Sequence, residues 1–116
     1  QWTPEDDQAL QRALELERES AAYVDSRGWV LYKLNEPAKA LDYMKKAVAL
    51  VEEPDPTLYD HLGDIHLALD NFEEARAAFS QALKAKPDEQ IEKKLEQAET
   101  RARASSGEIQ SFSRPE

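Results

Sequence analysis

Apolar side chains recur at every third or fourth position along six segments of the chain, which is the spacing that places them on one face of an α-helix. Only three glycines occur in the 116 residues, too few for a turn-rich all-β fold. The sequence therefore predicts an all-α protein. The predicted helices span residues 4–18, 20–35, 37–51, 56–69, 72–85 and 88–104.

Polar caps and prolines mark the ends of these segments. Thr3 and Ser20 are candidate N-caps, because a hydroxyl can accept a hydrogen bond from the first free amides of a helix. Asn35 tolerates the left-handed backbone of a tight turn, and Pro37 suits the first turn of the helix that follows. The same kinds of signal recur later in the chain, at Asp55-Pro56, Asp70-Asn71, Pro87 and Asp88.

The chain repeats itself with a period of 35 residues. Residues 28–32, GWVLY, are echoed by residues 63–67, GDIHL, and the same offset pairs Met44 with Phe79. A period of this length, filled by two helices, is typical of solenoids, in which each unit buries its apolar face only against its neighbours.

The second unit resembles the tetratricopeptide repeat, whose unit of about 34 residues has the pattern W-x2-L-G-x2-Y, then A-x3-F, then P. The first unit follows this pattern less completely: Arg27 stands where leucine is expected, and no proline ends the unit. The positions of the second unit that match are Tyr59, Leu62, Gly63, Asp70, Phe72, Ala75, Phe79, Ala82 and Pro87, with His66 in place of the usual tyrosine.

This resemblance implies a right-handed α-solenoid of antiparallel helix pairs, in a single domain over residues 1–104. The register also extends backwards, so we expect the chain to open halfway through a repeat. The expected division is a half repeat at 4–18, repeats at 20–53 and 55–87, a capping helix at 88–104, and a flexible tail at 105–116.

Residues 25–30 and 60–64 are similar to the C-terminal repeats of bacterial multi-repeat proteins, some of which are associated with the cell envelope. The chain has no apolar run near the roughly 20 residues that a membrane helix requires, and its first residues lack the layout of a signal peptide. Membrane insertion is therefore not expected. The compartment stays open between the cytoplasm and a bacterial periplasm or envelope.

The chain is strongly acidic, with 24 carboxylates against 15 Lys and Arg and a net charge of −9. Such a charge repels a phosphate backbone, so nucleic acid is a poor candidate partner. The absence of cysteine excludes thiolate nucleophiles and thiolate metal sites.

No motif for catalysis, a cofactor or a metal is present, and the sequence predicts a protein that is not an enzyme. The two histidines, His61 and His66, are five apart, so they lie on different helix faces and cannot form a metal pair. We expect His66 to be a packed, hydrogen-bonded core residue. For His61 the alternatives are a surface role and, more simply, a solvated side chain.

The resemblance implies that the first helix of each unit lines a concave groove that binds peptides. Positions 25, 29 and 32, like 60, 64 and 67, follow the spacing i, i+4, i+7 and share one helix face. The alternatives are that Trp29 and Tyr32 belong to the core and that the carboxylates are ordinary surface charge. The groove residues expected on this basis are Asp25, Trp29, Tyr32, Lys33, Asp60, His61, Asp64 and Leu67.

The predicted function is a protein-interaction module that binds a basic or amphipathic segment of a partner protein. Two other interpretations are a structural end segment of a longer solenoid, without a ligand of its own, and a regulatory appendage of an enzyme. Uncovered solenoid ends or the 105–116 tail would also allow the chain to associate with itself.

Overall fold

The computed structural model of the protein describes residues 3–106 and is all-helical over that range. Helices pack mainly against their neighbours in the chain, as in a solenoid: α1 on α2, α2 on α3, α3 on α4, and α4 on α5. The predicted all-α repeat architecture is therefore confirmed. The five helices are α1 (Pro4–Lys33), α2 (Pro37–Ala49), α3 (Pro56–Ala68), α4 (Phe72–Ala85) and α5 (Glu89–Ser106).

Two matching turns create the two helix pairs. Asn35 and Asp70 adopt left-handed backbone angles, with φ of 64° and 60°. After each, an amide reaches back to the last helical turn: Glu36 N donates to Leu31 O at 2.9 Å, and Asn71 N donates to His66 O at 2.8 Å. This arrangement closes a helix and reverses the chain within three residues, so α1–α2 and α3–α4 form equivalent hairpins, as the repeat predicted.

The predicted helix caps are largely confirmed. The Thr3 hydroxyl accepts from Asp6 N at 3.2 Å, while the Asp6 carboxylate accepts from Thr3 N at 2.8 Å. Oδ1 of Asp55 accepts from Thr57 N at 2.8 Å. Asp88 does the same for α5, accepting from Gln90 N at 2.8 Å.

The predicted break at Ser20 is wrong, because α1 is one continuous helix of 30 residues. The chain therefore has five helices over residues 3–106 rather than the six expected. The second hairpin is preceded by Pro54-Asp55-Pro56, whereas Arg18-Glu19-Ser20 contains no proline. A serine cap contributes about 1 kcal/mol, and a break would leave several carbonyls of the first helix without partners. The helix therefore continues through this point.

The tail expected at 105–116 also begins later than predicted, since Ser105 and Ser106 still belong to α5. The remainder of that segment lies outside the described residues.

Small residues let the paired helices approach closely. Gly28 of α1 lies against Met44 of α2, and a Cβ at this position would be 3.0 Å from Met44 Cε. Gly63 of α3 bears the same relation to Phe79 of α4, whose ring a Cβ would overlap. Both pairs are separated by 16 positions, so the two hairpins repeat the same packing contact.

Three apolar clusters follow one another along the stack. The largest fully buried side chains are Phe79, Met44 and Ile65. The first cluster joins α1, α2 and α3 around Ala21, Ala47 and Leu58; the second contains Ala40, Met44 and Ile65; the third contains Ala75, Phe79, Ala82, Ile91 and Ala98.

Among residues 3–106, no helix is both long enough and apolar enough to cross a membrane.

Candidate interaction face

The candidate site lies where α1, α3 and α5 succeed one another along one side of the stack. We call this surface the interaction face and define it by the eight residues expected from the sequence together with Lys94 of α5. Two groups of side chains make up most of it: an aromatic stack of Tyr32, Trp29 and His61, and an ion-pair cluster of Asp60, Asp64 and Lys94.

The aromatic stack centres on Trp29. The Trp29 ring stacks on Tyr32 one helical turn further along α1, with centroids 4.7 Å apart. On its other side it stacks on His61 of α3, with centroids 3.9 Å apart and planes inclined by 18°. The ammonium group of Lys33 lies 5.1 Å from the Trp29 ring centroid. Trp29 is therefore half-buried between two rings and already has a cation nearby.

His61 is not the solvated side chain that was the simpler alternative. Its Nδ1 lies 2.7 Å from Oδ1 of Asp25, and only 20% of the imidazole side chain and 13% of the carboxylate side chain are exposed. The hydrogen bond and the stacking on Trp29 connect α3 to α1. The sequence analysis placed Asp25 and His61 in one expected groove but did not predict the contact between them.

The ion-pair cluster connects α3 to α5. Nζ of Lys94 donates to Asp60 at 2.9 Å and to Asp64 at 3.1 Å. Burial lowers the pKa of Lys94, but the hydrogen bonds and charges of the two aspartates outweigh it and raise the pKa above its ordinary value. Burial raises the pKa of Asp64, and Lys94 only partly compensates. Lys94 thus stays charged, and burial disfavours the charged form of both Lys94 and Asp64.

Tyr32 lies between the two groups. Burial raises the pKa of its hydroxyl, and the negative charge of Asp64 raises it further. The ring also packs against the buried cluster of Ala40, Met44 and Ile65. Tyr32 therefore belongs to the core and to the interaction face at once, which combines the two alternatives that the sequence left open.

Leu67 occupies a different environment from the rest of the expected set. It is half-buried and packs against the cluster around Phe79. It lies on the same helix as Asp60 and Asp64, but its packing partners are core residues.

Lys94 is the residue of the face that the sequence analysis missed. It follows Ile91 by three positions and precedes Ala98 by four, so it borders the apolar stripe of α5. The signal that would have indicated Lys94 is a lysine that borders the buried stripe of one helix, while the neighbouring helix carries aspartates at i and i+4.

The charges of the interaction face are nearly balanced. Asp25, Asp60 and Asp64 lie among the ammonium groups of Lys33 and Lys94, with the imidazole of His61 beside them. The paired carboxylates exert less negative potential on their surroundings than three isolated ones would.

His66 is a packed core residue, as predicted. It is 7% exposed, and its Nδ1 lies 3.2 Å from the side-chain amide of Asn71. Burial lowers the pKa of its imidazole.

A cavity of about 340 Å³ lies away from this face and is lined by residues of α1 and of the segment between α2 and α3, among them Leu14, Val51 and Pro54. Residues 3–106 contain no group of three or more histidine, aspartate or glutamate side chains arranged to hold a metal ion.

Residues 56–89 match the tetratricopeptide repeat family. The match covers the α3–α4 hairpin, the segment after it and the start of α5. This part of the chain is therefore similar to the tetratricopeptide repeat, a unit that typically belongs to non-catalytic modules for protein interaction. A search of curated proteins finds no significant match to the chain.

Proposed function

We propose that the interaction face binds a short segment of a partner protein, either an extended peptide or a helix, with Trp29 as the central contact. The observation that carries the proposal is the half-buried Trp29 ring, held between Tyr32 and His61 on successive helices. Aromatic side chains fixed in this way lose little conformational entropy on binding, which is why they dominate many protein interfaces.

The chemistry of the face favours an amphipathic segment with at least one basic group. The apolar part of the ligand would pack beside Trp29, and a guanidinium could take the place above the ring where Lys33 now lies. A basic ligand group near α3 would compete with Lys94 for Asp60 and Asp64. A strongly basic ligand is less favoured than the composition alone suggests, because these carboxylates already have a cation.

A peptide panel tests the proposal directly. Three peptides share one apolar face and differ in the charge of the polar face, which is basic, neutral or acidic. In a Trp2→Phe background, Trp29 is the remaining tryptophan, and its fluorescence reports occupancy of the face. We expect the basic amphipathic peptide to bind best and the acidic one to bind least, because the carboxylates outnumber the ammonium groups.

Trp29→Leu should weaken binding by at least tenfold, since truncating an aromatic anchor costs about 2 kcal/mol. Because this variant lacks the fluorescent reporter, its binding is measured by calorimetry. Phe72→Leu is the matched control. Phe72 is also a half-buried aromatic under a cation, Arg101 at 5.1 Å, but it lies at the start of α4. If both variants bind equally well, Trp29 is not the anchor.

Lys94→Met tests the competition between Lys94 and the ligand. Without the internal cation, Asp60 and Asp64 become available, and we expect a few-fold tighter binding of the basic peptide. Lys93→Met, on the exposed side of the same helix, removes the same charge without freeing the two aspartates. An equal effect of the two variants would mean that only the overall charge matters.

The structural alternative makes the opposite set of predictions. If the contacts on this face serve only to hold α1, α3 and α5 together, no peptide in the panel binds, and variants at Trp29 and Lys94 change thermal stability alone.

A further inference from the structure

A row of large apolar side chains lies exposed along α1. Tyr23 is 62% exposed, Val30 is 56% exposed and Leu34 is 64% exposed, while Leu16 is 47% exposed. Leu16, Tyr23 and Val30 are seven residues apart, a spacing that keeps them on one side of a helix. We call these four residues the outer stripe.

The outer stripe is separate from the interaction face. At 100° per residue, the outer stripe lies roughly 145° around α1 from Ala21 and Gly28, which face α2, and about 125° around it from Trp29. Near Val30 the stripe reaches α2, since Tyr43 of α2 and Arg27, Val30 and Leu31 of α1 line a shallow cavity of about 340 Å³.

Within residues 3–106, the outer stripe stays exposed to solvent. In a helical stack each pair is covered by its neighbours, as α2 is by α3. The segment preceding Ala21 could serve α1 in this way only by folding back, but it continues α1 as one unbroken helix. An uncovered apolar row of this length is typical of an interface.

We propose that a second copy of this chain covers the outer stripe, with the two α1 helices antiparallel about a two-fold axis at Tyr23. In this register, Leu16 lies opposite Val30 of the second copy, and the same contact occurs twice by symmetry. Ala9 and Ala13, both exposed and on the same side of the helix, come beside Leu34 of the second copy, where small residues allow close approach of the helices.

Charges along the stripe favour this orientation. The antiparallel register places Glu19 opposite Arg27 of the second copy, twice. A parallel pair would place Glu19 beside Glu19 and Arg27 beside Arg27. In the single chain Glu19 has only a long contact with Arg12, at 3.9 Å between exposed side chains. Arg27 donates to the Tyr23 hydroxyl at 3.1 Å, so it already lies at the stripe.

The dimer would cover each outer stripe with a helix of the other copy. In this arrangement, the first half of each α1 lies along the second half of α1 in the other copy. Each chain then contributes residues to the surface that the other chain needs covered.

Charge exchange tests the register in solution. We expect the wild-type chain to sediment as a dimer and Val30→Glu to sediment as a monomer, while Ala22→Glu, at an exposed position outside the stripe, leaves the dimer intact. Glu19→Arg and Arg27→Glu should each weaken dimerisation, by about tenfold if each pair contributes near 0.7 kcal/mol and occurs twice. An equal mixture of the two variants should recover the dimer, because both cross-chain pairs then carry opposite charges.

Cysteine cross-linking tests the position of the two-fold axis. Because the chain contains no native cysteine, only the introduced cysteines can form a disulfide. Tyr23→Cys should form a disulfide-linked dimer under oxidation. Leu16→Cys and Val30→Cys should each stay uncrosslinked alone and cross-link when mixed.

Three results would overturn the proposal. A wild-type chain that remains monomeric at high concentration excludes the dimer altogether. A dimer that persists in Val30→Glu places the interface elsewhere. Self-crosslinking of both Leu16→Cys and Val30→Cys would indicate parallel helices. Circular dichroism shows whether each variant keeps its helix content.

Discussion

His61 Nδ1 lies 2.7 Å from Asp25 Oδ1, although the two residues are 36 positions apart in the chain. The contact joins the first helix of one hairpin to the first helix of the next, where α1 and α3 otherwise touch only slightly. The stacking of His61 on Trp29 reinforces the same junction. On this side of the stack, the imidazole of His61 therefore links the two repeats by a hydrogen bond and by stacking.

A double-mutant cycle can measure the hydrogen bond by itself. His61→Phe keeps a ring to stack on Trp29 but removes the bond to Asp25, and Asp25→Ala removes it from the other side. We expect a coupling free energy of about 1 kcal/mol between the two substitutions in urea unfolding. Additive effects within error would show that the contact contributes nothing to stability.

Lys94→Met should lower the free energy of unfolding by about 1 kcal/mol, because it leaves Asp60 and Asp64 facing each other without a cation. Asp64→Asn should cost less, since burial already disfavours the charged form of that carboxyl group. The double variant should be more stable than Lys94→Met alone. Thermal and urea unfolding check the order, and an equal loss in Lys94→Met and Lys93→Met would contradict it.

Gly63→Ala and Gly28→Ala should differ although both glycines lie inside helices. An alanine gains about 1 kcal/mol in helix propensity. At Gly63 its Cβ would overlap the rigid Phe79 ring, and we expect a net loss of about 1–3 kcal/mol. At Gly28 the nearest atoms are 3.0 Å away, one of them the flexible end of Met44, so the net change should be small.

Phe79→Leu provides the check on this difference. In the Gly63→Ala background it should restore part of the lost stability, whereas in the wild-type background it should destabilise by leaving space in the core. If Phe79→Leu is equally harmful in both backgrounds, the two positions are not coupled through the ring.

His66 should make the fold sensitive to mild acid. Its pKa is lowered in the folded state, chiefly by burial, so between that pKa and the ordinary value of about 6.5 the unfolded chain binds more protons. The free energy of unfolding therefore falls as pH drops below about 6.5 and levels off below the folded pKa. His66→Gln, which stays neutral, should flatten this part of the profile. Urea unfolding from pH 7.5 to 5.5 measures the difference, and parallel profiles would argue against His66 as the cause.

Local signals in the sequence were sufficient to predict most helices, because their ends depend on neighbouring residues. Asn35 at its left-handed turn and Asp88 at the start of α5 are examples. The break at Ser20 was mispredicted for a related reason: a serine alone signals a cap, but without a proline the helix hydrogen bonds continue through it.

The candidate site was predictable only in part. Helical spacing placed Trp29 and Asp25 on one face, since that depends on a single helix. The partner of Asp60 and Asp64 was not predictable from their own helix, because Lys94 reaches them only through the packing of α5 on the rest of the stack. Contacts across 30 or more positions depend on tertiary geometry.

Because α1 is one continuous helix, the side chains of its first half point in directions that are fixed relative to those of its second half. The second half is held by Ala21 and Gly28 against the repeats, whereas the first half extends beyond them. Because each residue turns a helix by 100° and advances it by 1.5 Å, deleting one residue between Glu5 and Glu19 would swing everything before it through about 100° while moving it by only about 1.5 Å. The direction in which Leu10 points from the repeats is therefore set by the number of residues in the helix, as much as by their identity.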